Sequence, residues 1–202
     1  MFRILALVIS LLAGELAAAA PAIMVYGDSL SAAHGLPRDA GWVTLLEDKL
    51  RQDKYNYQVV NASISGETTL GGKNRIASAL EKNDPAVVIL ELGANDGLRG
   101  QSLDSARSNL EAIIKAANRA GARTLLIGMR LPPNYGTIYT DKFQNMYQDL
   151  AERYKLALVP FMFEGFAERR EYFLSDGVHP TVAAQKMILE NVWKELKPLL
   201  KR

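Results

Sequence analysis

The chain has 202 residues, with 24 Lys and Arg against 22 Asp and Glu for a net charge of +2, two His and no Cys. Both signs are interspersed with no long single-sign block, which points away from a nucleic-acid surface. The lack of Cys removes any disulfide framework and any Cys-based metal site, and no internal repeat or low-complexity linker divides what reads as one domain.

The first element reads as a leader. Met1-Phe2-Arg3 brings one positive charge, Ile4 to Ala13 is apolar apart from Ser10, and Leu16 to Ala20 is made of small residues after its first Leu. That is the layout of a secretory signal peptide, and Ala17 and Ala19 place the cut after Ala19. Residues 1–19 are therefore read as a signal peptide and residues 20–202 as a single domain, exported to the periplasm in the first reading, with secretion from the cell as the alternative. The apolar run is far shorter than the roughly 20 residues of a membrane-crossing helix, so no stable membrane span is expected.

Beyond the leader, short runs rich in Val, Ile and Leu alternate with longer segments of helical periodicity. This alternation predicts an α/β fold with a parallel sheet covered by helices. The candidate strands are Ile23 to Tyr26, Tyr57 to Val60, Ala86 to Leu90, Thr124 to Ile127 and the short Ala157 to Val159. Trp42, Leu45, Leu46 and Leu50 share a helical face, as do Leu103, Leu110, Ile113 and Ala117, and Phe143, Met146, Tyr147, Leu150 and Tyr154. The segment from Gly66 to Asn83 is a weaker helix because Gly71-Gly72 interrupts it. Thr181 to Leu196 forms the last helix, with Pro180 in front of it and Pro198 beyond.

In open α/β sheets, ligands bind outside the carboxyl ends of the strands. The first strand leaves in Gly27-Asp28-Ser29-Leu30-Ser31, which holds Ser29 at the rim of the sheet, with a helix expected directly after it to offer amides to an oxyanion. Taken alone, Ser29 reads equally as a helix cap. It is also not a Gly-x-Ser-x-Gly elbow, because Ser31 stands at the second Gly position.

A Ser nucleophile needs a base, and His34 and His179 are the two choices. His179 follows Asp176 by three residues in Asp176-Gly177-Val178-His179-Pro180, so one turn can set the carboxylate against one ring nitrogen while the other faces the Ser. His34 has no such orienter and reads as an exposed or rim residue. A metal site of His179, Asp176 and Asp28 is conceivable, but two His and no Cys argue against a closed zinc site. After the second strand, Gly66 can bring its amide close to a substrate. After the third, Asn95 in Gly93-Ala94-Asn95-Asp96-Gly97 can donate to an oxyanion, although Asn-Asp-Gly alone reads as a turn.

Gly27-Asp28-Ser29-Leu30, Gly66, Gly93-Ala94-Asn95-Asp96 and Asp176 to Pro180 occur in one order, and together they resemble the GDSL, or SGNH, hydrolases over essentially the whole mature chain. Asn61 to Thr68, Gly97 to Gly100 and Arg130 to Gly136 bring the resemblance closest to the branch called thioesterase I, lysophospholipase or arylesterase. The resemblance implies a flavodoxin-like three-layer α/β/α sandwich with a five-stranded parallel sheet in the order 2-1-3-4-5. It also implies Ser29 as nucleophile, His179 as base and then acid, and Asp176 as orienter, with Ser29, Gly66 and Asn95 forming the oxyanion hole. Neither cofactor nor metal is implied. The expected activity is hydrolysis of acyl esters or thioesters, of the lysophospholipid, aryl ester or acyl-CoA type, with Arg130 to Ile138 lining the acyl pocket. The expected partner is a small-molecule acyl ester or lipid, and the oligomeric state stays open. The alternatives are a carbohydrate O-deacetylase on the same fold and a non-catalytic envelope-binding protein.

Overall fold

The computed structural model describes residues 20–37 and 39–201. The expected signal peptide lies outside the described residues. Five strands, β1 (Ala22–Gly27), β2 (Gln58–Asn61), β3 (Pro85–Glu91), β4 (Arg123–Ile127) and β5 (Ala157–Val159), form one parallel sheet in the order β2-β1-β3-β4-β5. The sheet follows from the apolar runs. β1 is buried along its whole length and β3 along nearly all of it, as central strands covered on both faces must be. The edge strands β2 and β5 are short and only partly covered.

The helices form two layers. α1 (Trp42–Gln52) packs against α6 (Val182–Leu196). On the other side α2 (Thr69–Asn83), α4 (Leu103–Arg119) and α5 (Thr137–Tyr154) pack in sequence. Each helix buries the face that its periodicity announces; for α4 this is Leu103, Ala106, Leu110, Ile113, Ile114 and Ala117. The chain steps outward from β1 to β2 and then back across to β3, which makes the β1/β3 gap the switch point of the sheet, where ligands bind in such folds.

Three local expectations need correction. No helix follows Ser29: residues 29–35 are turns, and α1 begins only at Trp42. The peptide N–H groups of Ala32 and His34 bond back to the carbonyls of Asp28 and Ser29 instead, at 2.9 and 3.2 Å. Gly71 and Gly72 do not interrupt α2 but lie inside it. A Cβ on Gly72 would stand 2.5 Å from Cδ1 of Leu92, so the glycine lets the helix settle close to the chain that leaves β3. Its carbonyl also accepts the buried Tyr26 hydroxyl at 2.7 Å. Finally, the turn expected around Asn95 is a one-turn helix, α3 (Ala94–Leu98).

Candidate active site

Ser29 leaves β1 in a segment pinned from below. Asp28 is fully buried, and its Oδ1 accepts the Leu30 N–H at 3.0 Å. Glu91, at the end of β3, is also fully buried; its Oε2 accepts the Asp28 N–H at 3.2 Å and the Ser31 hydroxyl at 2.7 Å. A Cβ on Gly27 would come within 2.6 Å of that same Oε2, which is the physical reason for a glycine at this exit.

The structure brings Ser29, Asp176 and His179 together. Nε2 of His179 lies 2.9 Å from Oγ of Ser29, and Nδ1 lies 2.8 Å from Oδ2 of Asp176. The tautomer that satisfies both contacts has Nδ1–H donating to the carboxylate and Nε2 accepting from the hydroxyl. The other oxygen of Asp176 accepts the N–H groups of His179 and Val178, at 3.0 and 2.8 Å. These bonds, His179 first, hold the Asp176 carboxyl down to about 2 although the residue is exposed.

The turn carrying these residues is braced from outside. Arg170 donates to the carbonyls of Phe173, Leu174 and Ser175 at 2.9, 2.6 and 2.9 Å. The Leu174 N–H bonds the His179 carbonyl at 2.8 Å, and the Thr181 N–H bonds the Tyr172 carbonyl at 2.7 Å. His34 is exposed, as its sequence setting suggested, and its ring packs on that of His179, with centroids 4.7 Å apart.

Asn95 lies on α3 and donates through Nδ2 to Oδ2 of Asp28 at 2.9 Å. An amide nitrogen carries two hydrogens, so one remains for a ligand. Its neighbour Asp96, buried, anchors α3 by accepting the Thr69 N–H at 2.9 Å and the Thr69 hydroxyl at 2.6 Å. Gly66 sits in the loop after β2 at a φ of +79°, and Arg99 joins the two loops by donating to the Gly66 carbonyl at 3.3 Å and to Oδ1 of Asn95 at 3.4 Å. Arg75 fastens the Gly66 loop to α2 through the Ala62 carbonyl at 2.8 Å and an ion pair with Glu67. Among the described residues, the N–H groups of Ser29 and Gly66 donate to no protein acceptor.

A cleft of about 500 Å³ opens beside Ser29, Asn95 and His179. Its walls are largely apolar and include Leu131, Pro132, Phe161, Phe163 and Phe173. The expectation that Arg130 to Ile138 lines it holds for residues 130–133 only. Tyr135 turns away and donates to the Leu98 carbonyl at 2.9 Å, bracing α3. The aromatic wall after β5 was missed; Phe161, Phe163 and Phe166 have the spacing of ordinary core residues, and nothing local marks two of them as cleft wall. Among the described residues no three His, Asp or Glu side chains gather as a metal site, and no helix is long and apolar enough to cross a membrane.

A Ser–His–Asp array at the switch point of a doubly wound parallel sheet, beside an apolar cleft, defines the class: a carboxylic ester hydrolase of the three-layer α/β/α kind. Residues 25–187 match the GDSL-like Lipase/Acylhydrolase family, and the chain belongs to that family. It is 48% identical over 183 residues to Esterase TesA of Pseudomonas aeruginosa, covering 91% of each chain. It is 39% identical over 184 residues to Thioesterase 1/protease 1/lysophospholipase L1 of Escherichia coli, covering 91% of this chain and 87% of that one. The fold matches a crystal structure of the psychrotrophic esterase EstA from Pseudoalteromonas sp., inhibited by monoethylphosphonate, with a TM-score of 0.84 at 37% identity over 88% of this chain and 97% of that one.

Proposed function

We propose that this enzyme is an exported serine esterase and thioesterase that cleaves acyl chains longer than acetyl through a covalent acyl-Ser29 intermediate. The carrying observation is the unbroken line Asp176–His179–Ser29, with contacts of 2.8 and 2.9 Å, ending at the apolar cleft.

In the proposed reaction the Ser29 Oγ attacks the acyl carbonyl as its proton passes to Nε2 of His179. Asp176 keeps Nδ1 protonated and stabilises the imidazolium. The negative oxygen of the tetrahedral intermediate is met by the N–H groups of Ser29 and Gly66 and by the free Nδ2 hydrogen of Asn95. His179 returns its proton to the departing alcohol or thiol. Water then gives a proton to His179 and attacks the acyl-enzyme; its collapse frees the acid and restores Ser29.

The aromatic walls favour a hydrocarbon acyl chain over a carbohydrate acetyl ester, because burying each methylene contributes about 0.8 kcal/mol. The E. coli relative is named for thioesterase and lysophospholipase activities, and the inhibition of EstA by a phosphonate fits a nucleophilic serine in a related protein. The leader-like first 19 residues support export, where lipid-derived or exogenous esters are more accessible than acyl-CoA.

The test is a panel of p-nitrophenyl esters of increasing acyl length, with palmitoyl-CoA and a lysophospholipid, on the wild-type and Ser29→Ala proteins. Wild type should prefer butyrate or longer over acetate, and folded Ser29→Ala should lose about 10⁴-fold or more in kcat. Preference for acetate alone, or retained activity in Ser29→Ala, overturns the reading.

A further inference from the structure

We infer that Asp28 is a positioning residue of the oxyanion hole: its buried carboxylate holds the Asn95 amide and so aims the remaining Nδ2 hydrogen at the reacting oxygen. This rests on Asn95 being an oxyanion donor, as proposed above.

Asp28 is next to the nucleophile in sequence, yet its side chain points away from solvent and is fully buried. Its two oxygens have separate tasks. Oδ1 accepts the Leu30 N–H at 3.0 Å and shapes the turn behind Ser29, while Oδ2 accepts one Asn95 Nδ2 hydrogen at 2.9 Å. The amide is therefore gripped at Nδ2 by Asp28 and at Oδ1 by Arg99, and its plane is set from both ends. A short helix of one turn does not supply that orientation by itself. The demand is for a carboxylate in particular. Two donors face this side chain, and an asparagine offers a single acceptor oxygen, so Asp28→Asn would turn an NH2 toward one of them.

Glu91 supports Asp28 from behind through the Asp28 N–H, and its Oε1 has no hydrogen-bond partner among the described residues. Burial first, and then the Asp28 charge, push the Glu91 carboxyl well above its usual range, which leaves Asp28 as the ionised member at neutral pH. Burial lifts Asp28 itself to about 6, opposed by the hydrogen bonds from Leu30 and Asn95 and by His179. The titratable groups facing it are Glu91 from β3, Asp96 from α3, Tyr147 from α5 and His179 from the loop before α6. Below about 6 the carboxyl gains a proton, and the grip on Asn95 loses an acceptor.

The test compares Asp28→Asn, Asn95→Ala and the double variant with p-nitrophenyl butyrate, after circular dichroism has shown each to be folded. Asn95→Ala should lower kcat about 10²-fold with KM changed less than about threefold. Asp28→Asn should lower kcat about tenfold or more, again with little change in KM. In the Asn95→Ala background the Asp28 change should cost no more than about threefold, because the group it aims is already gone. If Asn95→Ala costs the expected factor while Asp28→Asn stays within about twofold, or if the two losses multiply, the positioning role is wrong. If Asn95→Ala itself is near wild type, the oxyanion reading of Asn95 is what fails.

Discussion

Asp176 binds His179 twice, through the ring Nδ1 at 2.8 Å and through the backbone N–H at 3.0 Å, so the carboxylate that orients the imidazole is itself held by the same residue's main chain. With its carboxyl held down to about 2, Asp176 is ionised at neutral pH.

Replacing Asp176 with Asn keeps an oxygen for the two amides but turns an NH2 toward Nδ1, which favours the tautomer with Nε2–H facing Ser29. The imidazole is then present and wrongly protonated. Asp176→Asn should lose about 10²–10⁴-fold in kcat, and His179→Ala more, measured with p-nitrophenyl butyrate. Equal or greater loss in the Asp variant would mean that the carboxylate does more than orient.

Arg170 touches neither Ser29 nor the cleft, yet it gathers three consecutive carbonyls of the turn that carries Asp176. Arg170→Ala should lower kcat about tenfold with a smaller change in KM, since the triad loses alignment rather than its members. Stability should drop by about 1–2 kcal/mol in urea denaturation. Unchanged kcat would show that the turn holds its shape without the guanidinium.

The buried Asp28–Glu91 pair makes stability depend on pH in an unusual direction. Asp28 is raised from 3.8 to about 6 in the folded state and Glu91 is raised well above 4.5. Their contribution is complete below the unfolded values and is lost as pH rises through the folded ones. Asp176 acts oppositely, with its contribution present above 3.8 and lost as pH falls toward about 2. The urea midpoint should therefore be highest at about pH 4–5 and fall toward pH 8 by an amount equivalent to about 1–3 kcal/mol, a slope that Glu91→Gln should flatten. A midpoint that rises over the same interval would contradict the buried-pair account. Catalysis on this view uses the ionised Asp28 that folding disfavours.

Ala167 is a small side chain in the largely apolar wall of the cleft. Ala167→Trp should take up acyl space and lower kcat/KM for octanoyl esters about tenfold more than for acetyl esters. Equal effects on both would place the acyl chain elsewhere.

The strands were legible because a strand covered on both faces needs an unbroken apolar run; β1 and β3 are such runs. The Asp176–His179 contact was legible too, as a three-residue spacing confines both side chains to one turn. The partnership of His179 with Ser29 spans 150 residues, and local chemistry left Ser29 indistinguishable from a helix cap until the ordered motifs were compared with a known family. The helix expected after Ser29 was absent because Asp28, Leu30 and Ser31 satisfy their polar groups through one another and through Glu91.

What the sequence determined by itself is whatever local period and short spacing can express: the alternation of strands and helices, and the three-residue spacing that sets Asp176 against His179. The tertiary structure decided the rest, because Asp28 against Asn95, Arg170 beneath the triad turn and the aromatic wall after β5 exist only where the packing of the sheet brings distant segments to one edge. Side-chain identity states what a group can donate or accept, and only the fold states to whom.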